Sequence, residues 1–574
     1  MRRLAVHVGK VFIAFQFACI AVSYATICWA GGGPENVLLV VNAMSQDSRT
    51  VANHYIDLRK IPTENVVYVN SPPLKGTATS KQFRNRIFNP LNKEIEARGL
   101  KDQIDYVVYS CDFPWQLNFS AEFPGQKFPQ HLSSLASLTG ATYLSEFIKS
   151  DRKEFIGLNS NFYCAPPTDL IVFSRGFHAS YRWGLGGRRT GQDGLPYMLS
   201  ATLGVNGPKG NTVEEMAWYL KRAAEADGTA PKGVIYFAKN KNIRSTTRDR
   251  TFPAAVRLLS IAGVQAEIIE GIFPMHKQNV AGVTLGFNIV NPAGSQSRIL
   301  PGAIVDNLTS LGGNFSPTNQ QTCVSEYLRM GAAGACGTVA EPTALPQKFP
   351  NNTLHVHYAN GCSLAESFYQ SVAGPYQQLL VGDPLCQPWA KFPKVSLTGI
   401  SEGATIRDTI EIVPTAVLVN GTVTSYQLFV DGIFKQKCSA GERFQLDTTQ
   451  LADGYHEIRV VATDSTPIET QGRWIGSVMV KNGMDAAQLT VDENSASGTS
   501  DILNVKVAAT NSAATKVYCN GVEMGEVAGG AGSLAIDKEK IGAGPVTLIA
   551  VAEGKPQIRS RPVRVVISAP ELQP

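Results

Sequence analysis

The chain has no CxxC pair among its ten cysteines, and this removes the usual frame of a structural zinc site. It has no Walker-type phosphate loop, no GxSxG nucleophile elbow and no HExxH helix. Beyond the first 30 residues no run is long and apolar enough to span a bilayer. Charge of a dominant sign is missing as well. Fifty-two Lys and Arg stand against 47 Asp and Glu, a formal +5. Setting aside Arg2, Arg3 and Lys10, which belong to the N-terminal segment, leaves 49 basic against 47 acidic residues. That balance excludes nucleic-acid partners and a polybasic membrane footprint.

What is present begins with residues 1–30, which read as a secretory signal. Arg2, Arg3 and Lys10 form a basic n-region, Val11 to Val22 an apolar run broken only by Gln16, and Ser23-Tyr24-Ala25 and Cys28-Trp29-Ala30 are cleavage sites. A retained anchor helix is the alternative; with the signal removed, the mature chain carries no transmembrane anchor. Export permits disulfides among Cys111, Cys164, Cys323, Cys336, Cys362, Cys386, Cys438 and Cys519, with a connectivity that spacing does not give. Cys438 and Cys519 fall singly in separate blocks and read as buried free thiols.

From residue 31 to about 390 strand and helix signals alternate. Val37-Leu38-Leu39-Val40-Val41 is a continuous apolar run, as in a strand covered on both faces. A helix over Asp47–Lys60 ends at Ile61-Pro62, and Val66–Val69 and Ile104–Ser110 follow as strands, with a helix over Lys81–Arg98 between them. The repeat predicts an α/β, doubly wound, mainly parallel sheet. Residues 111–195 break the rhythm and read as an insertion at the carboxyl end of the third strand. It is either a ligand-binding region or a cap over the sheet end. After Pro388 helical periodicity vanishes. Blocks 391–483 and 484–574 show short alternating strands between Gly, Asp and Asn turns, suited to two all-β sandwiches.

The densest polar segment is Asp306-Asn307-Leu308-Thr309-Ser310-Leu311-Gly312-Gly313. At the end of a parallel strand, Thr309, Ser310, Gly312 and Gly313, with Asn288 from the preceding strand end, could form an anion-binding or nucleophile-bearing loop. The same residues also fit a tight turn, with glycines supplying positive φ and hydroxyls capping the next helix. Ser310, Asp306 and Glu341 are the candidate catalytic set. His355 and His357 alternate as on one face of a strand and are a possible metal pair, although a structural pair fits the same spacing and no third ligand is spaced with them. His178 and His276 fall in insertion or loop sequence, where surface histidines are common. No cofactor is indicated.

The order of apolar strand, small polar turn, "GG", helix and then Met330–Pro342 ("MGAAGACGTVAEP") resembles caspase-like cysteine peptidases of the gingipain and CHAT type, as does the closing Gly382-Asp383-Pro384. The resemblance implies a caspase-like domain over 31–390. It also departs from that family's chemistry: Ser310 stands where the nucleophilic Cys is expected, and Gly286-Phe287-Asn288 where His-Gly is expected. A serine hydroxyl without a base is a poor nucleophile at neutral pH. Blocks 391–483 and 484–574 resemble bacterial immunoglobulin-like modules. Ile299–Gly313, Gly334–Pro342 and Leu364–Pro384 are also similar to an uncharacterised exported bacterial family from genomes with exosortase-type sorting, which implies no activity. Three functions follow as expectations: a catalytically degenerate binding domain of the envelope or exterior, facing a protein or polysaccharide; a hydrolase with a rearranged site; or a structural envelope or adhesion protein.

Overall fold

The computed structural model describes residues 31–70, 76–165, 171–483, 486–510, 512–554 and 557–568. The expected signal segment lies outside them. Among the described residues no helix is long and apolar enough to cross a membrane.

A large mixed sheet organises the first two thirds of the chain. Its strands are β1 (Val37–Asn42), β2 (Val66–Val69), β3 (Tyr106–Tyr109), β4 (Leu199–Thr202), β5 (Val234–Lys239), β6 (Gln265–Glu270), β7 (Val280–Leu285), β8 (Ile299–Asn307), β9 (Gly334–Thr338) and β10 (Gln378–Gly382). They lie in the order β6-β5-β7-β8-β9-β10-β4-β3-β1-β2. Every neighbouring pair is parallel except β9 with β10, where Ala335 faces Val381 in an antiparallel register. The sheet is thus two parallel halves running in opposite directions and joined at that seam. All six β1 residues are buried, the burial expected of a strand covered on both faces.

Strand β4 was not legible: Leu199-Ser200-Ala201-Thr202 is short and follows the loop-rich insertion, yet it sits in the sheet between β10 and β3. The helix over 80–97 is also less regular than its periodicity suggests, passing through a π-turn at Arg84–Phe88 before Pro90. Helix α1 (Gln46–Arg59), one residue earlier at each end than expected, starts on Ser45, whose hydroxyl accepts the Ser48 N–H, and stops at Lys60 in the left-handed region.

After residue 390 the chain builds β-sandwich sheets with their own apolar cores, one centred on Leu428, Ile458 and Val478 and another on Leu503, Val517 and Leu548. The two meet edge to edge: β11 (Asp453–Asp464) pairs in parallel with the two-residue β12 (Ile558–Arg559), so one sheet runs through both modules. Buried polar contacts fasten them to the large sheet. Glu35 meets Arg459 and Arg473 at 3.5 and 3.1 Å, Gln103 donates to the Gly432 carbonyl and accepts from Phe434 N–H, and Asn520 donates to Asn53 at 2.9 Å.

Candidate functional site

The Ser310 turn is closed. Ser310 is 7% exposed, and its hydroxyl accepts from the Arg244 guanidinium at 3.3 Å. Among the described residues no histidine, lysine or carboxylate bonds to that hydroxyl. The Thr309 hydroxyl bonds the Gln321 side chain, and the carbonyls of Thr309 and Ser310 both accept from Thr338 Oγ1, at 2.9 and 2.8 Å. Neither hydroxyl caps a helix, so that expectation is corrected. The glycines are corrected too: Gly312 and Gly313 are not among the positive-φ residues. They are there for close approach, since a Cβ on Gly313 would lie 2.3 Å from the Gly337 carbonyl oxygen.

Asp306 does not face Ser310 as a partner. It is buried and ion-paired with Arg248, which also donates to the carbonyls of Pro350 and Leu285 at 2.8 Å each. Burial pushes the Asp306 carboxyl up and Arg248 pulls it back, leaving it above its ordinary range. Cys336, beside it on β9, donates to Asp306 at 3.5 Å, and burial holds its thiol well above the ordinary value. Glu341 is exposed and accepts the Thr343 N–H at 2.9 Å, closing a local turn. Asn288 is half-buried, its carbonyl accepting the Thr322 N–H. The predicted set is therefore spread over separate local contacts.

The placement of the histidine pair on a strand is also corrected. His355 and His357 lie on a helix, α2 (Thr353–Ala359), where residues two apart point about 200° apart around the axis. His355 Nε2 meets Thr284 Oγ1 at 3.1 Å and His357 Nδ1 meets Ser174 Oγ at 3.0 Å. Burial pushes both imidazoles down to about 3. Among the described residues no three His, Cys, Asp or Glu side chains gather as a metal site. His178, expected at the surface, is 2% exposed.

A different place is built and open. A cleft of about 710 Å³ lies between Gly76–Thr77, the turns after β3 and β4, and the loop that follows β8. Asp112, at the end of β3, stands in it with φ 59°, a conformation costly for most residues and tolerated by Asp. Asn42 and Ser45 hold it: Asn42 Nδ2 donates to its carbonyl at 2.8 Å, and Ser45 Oγ, itself the cap of α1, donates to its Oδ2 at 2.5 Å. The β4 turn, Val205–Gly210, brings Asn206 and Lys209. Its tightness requires Gly210, whose Cβ would lie 1.9 Å from the Val205 carbonyl oxygen. Trp115 and Phe315 close the far wall with ring centroids 6.2 Å apart.

No family model matches the chain, and no curated protein matches it significantly. Similar stretches occur in solved structures. The fibronectin(III)-like modules of Clostridium thermocellum CbhA share 14% identity, with 30% of this chain and 93% of that chain covered and a TM-score of 0.14. The Bacteroides ovatus mixed-linkage glucan utilization protein SGBP-B, solved with a mixed-linkage heptasaccharide, shares 14% identity over 31% of this chain and 45% of its own, at 0.19. Dimeric latent PorU from Porphyromonas gingivalis shares 16% identity over 31% and 20%, at 0.14.

Sequence reasoning reached this cleft only in outline, by placing an insertion at the carboxyl end of the third strand. The signal that could have found Asp112 is Ser110-Cys111-Asp112-Phe113-Pro114-Trp115: a short polar residue tolerant of positive φ, three residues after a buried strand and two before a Pro.

Proposed function

We propose that the protein is an exported binding protein of the envelope or exterior. In this reading residues 31–390 form a catalytically degenerate caspase-like domain, 391–483 and 484–574 are immunoglobulin-like sandwiches, and the chain belongs with the exosortase-associated family it resembles. Its partner is a protein or polysaccharide, met at the Asp112 cleft. The observation that carries the reading is the contrast between two strand ends. Ser310 is buried against an arginine, which withdraws no proton from a hydroxyl, whereas Asp112 is half-buried and lines an open cleft. Crevices beyond strand carboxyl ends are where open α/β sheets take ligands.

The test is intrinsic fluorescence of the mature chain and of its Trp115→Phe variant, titrated with envelope polysaccharide fractions and with peptide pools, alongside hydrolysis assays on the same samples. A saturable change carried by Trp115 without turnover supports binding. Turnover abolished by Ser310→Ala would replace this reading with the enzymatic one.

A further inference from the structure

The composition of the Asp112 cleft narrows its ligand, given the reading of that cleft as the binding site. Its apolar walls join small exposed parts of Phe113, Trp115 and Phe315, each 7–8% exposed, to the exposed rings of Pro208 and Pro317. Its polar side chains include three neutral amides, Gln116, Asn206 and Asn314. An amide side chain carries donor and acceptor together, as does a sugar hydroxyl. These amides are fixed by the fold. Gln116 and Asn314 both donate to the Val339 carbonyl, at 2.8 and 3.1 Å, and Asn206 donates to Asp47 at 2.5 Å, so a ligand would meet preset rather than floppy groups.

The charges in the cleft, Asp112 and Lys209, are of opposite sign, which gives no net attraction for a strongly charged ligand such as a polyphosphate. A peptide in extended form binds best along a free sheet edge. Here β3 and β4 are interior strands, flanked by β1 and β10, and present their ends; the edge strand beside the cleft, Thr77–Thr79, is three residues long and offers few ladder hydrogen bonds. A pyranose fits what remains. Its C–H faces suit apolar walls of ring and proline carbons, its hydroxyls suit amides, and a carboxylate such as Asp112 is a strong acceptor for one or two of them. The volume, about 710 Å³, falls within the usual span of small-ligand sites.

We propose that the cleft formed by Asp112, Trp115, Asn206, Lys209 and Phe315 binds a short neutral oligosaccharide.

Isothermal titration of the full mature chain with gluco-, manno-, xylo- and chito-oligosaccharides tests this, with peptide pools and inorganic polyphosphate run in parallel. At least one oligosaccharide is expected to bind. Asp112→Asn keeps the left-handed conformation that Asn tolerates and removes the charge; it is expected to weaken that binding about tenfold. Lys209→Gln, on an exposed turn, should weaken it measurably even where Asp112→Asn proves unstable. Oligosaccharide binding that neither variant disturbs would place the sugar site elsewhere and overturn the inference. Binding of a peptide pool alone, sensitive to Asp112→Asn, would overturn the sugar while leaving the cleft as the binding site. No binding of any class would remove both readings.

Discussion

Gly312 and Gly337 pack backbone to backbone: a Cβ on Gly337 would lie 2.4 Å from the Gly312 carbonyl carbon. The loop after β8 crosses β9 at this contact, and the crossing seals the strand end that carries Ser310. Gly337→Ala therefore forces two backbones apart. Overpacking of this kind costs about 1–3 kcal/mol, read as a lower midpoint in urea unfolding. Ser310→Ala, which loses one hydrogen bond to a half-buried arginine, should cost about 1 kcal/mol or less.

Glu35 is the electrostatic link between the large sheet and the first sandwich. Burial opposes its ionisation, but Arg473 and Arg459 outweigh burial and hold the carboxyl below its ordinary 4.5. Removing one member of a buried ion cluster strands the others, at a cost of about 3–5 kcal/mol. Glu35→Ala is expected to destabilise the chain by that order, measured by denaturant unfolding. A depressed carboxyl stabilises above its unfolded value and loses that stabilisation as pH falls through its folded one. Acid unfolding below pH 4.5 should accordingly lose part of its steepness in the variant.

Glu366 works in the opposite direction. Burial pushes its carboxyl up to about 7, although it accepts the N–H groups of Ser363 and Phe177 at 2.8 and 2.9 Å. Its folded state holds a proton that the unfolded chain releases near pH 4.5. Stability from this group is full below 4.5 and declines as pH rises through 7, by about 3 kcal/mol in total. Glu366→Gln should flatten the slope of stability against pH between those limits while leaving the acid limb set by Glu35 intact.

The sandwiches should not melt separately. Asn53, 1% exposed, donates to the carbonyls of Ile541 and Ala543 and accepts from Asn520. Asn53→Ala leaves these groups unpaired, costing about 1–3 kcal/mol, and should expose the 514–553 region to proteolysis first. The unaltered chain is expected to unfold in one calorimetric transition; two well-separated transitions would show the modules to be independent.

All eight cysteines of the described residues are free and buried. Burial pushes the thiols of Cys323 and Cys438 up to about 11, which suppresses the reactive thiolate. A thiol reagent should titrate none of them quickly in the native chain and all eight in denaturant, and reductant should leave the thermal midpoint unchanged. A midpoint lowered by reductant would reveal a disulfide.

Much of the framework was readable because it is local. The apolar run Val37–Val41 and the Ile61-Pro62 stop each act over a few residues, and the loss of helical period after Pro388 announces the β-sandwich sheets. Leu199–Thr202 escaped because four residues after an irregular stretch carry no period, and only the partners β3 and β10 make them a strand. The His355-Val356-His357 alternation misled for a related reason: a period of two in so short a run is equally compatible with a helix once tertiary burial absorbs both rings.

Composition and local pattern by themselves determined an α/β region followed by β-modules, the near-neutral charge, and the mismatch between Ser310 and a working nucleophile. Tertiary structure alone decided which strand ends close and which open. Whether Asp306 is free or paired depends on Arg248, 58 residues away, and the Asp112 cleft is assembled from turns separated by up to 241 positions between Gly76 and Pro317. Such convergence is set by long-range strand pairing, which a periodic pattern does not encode.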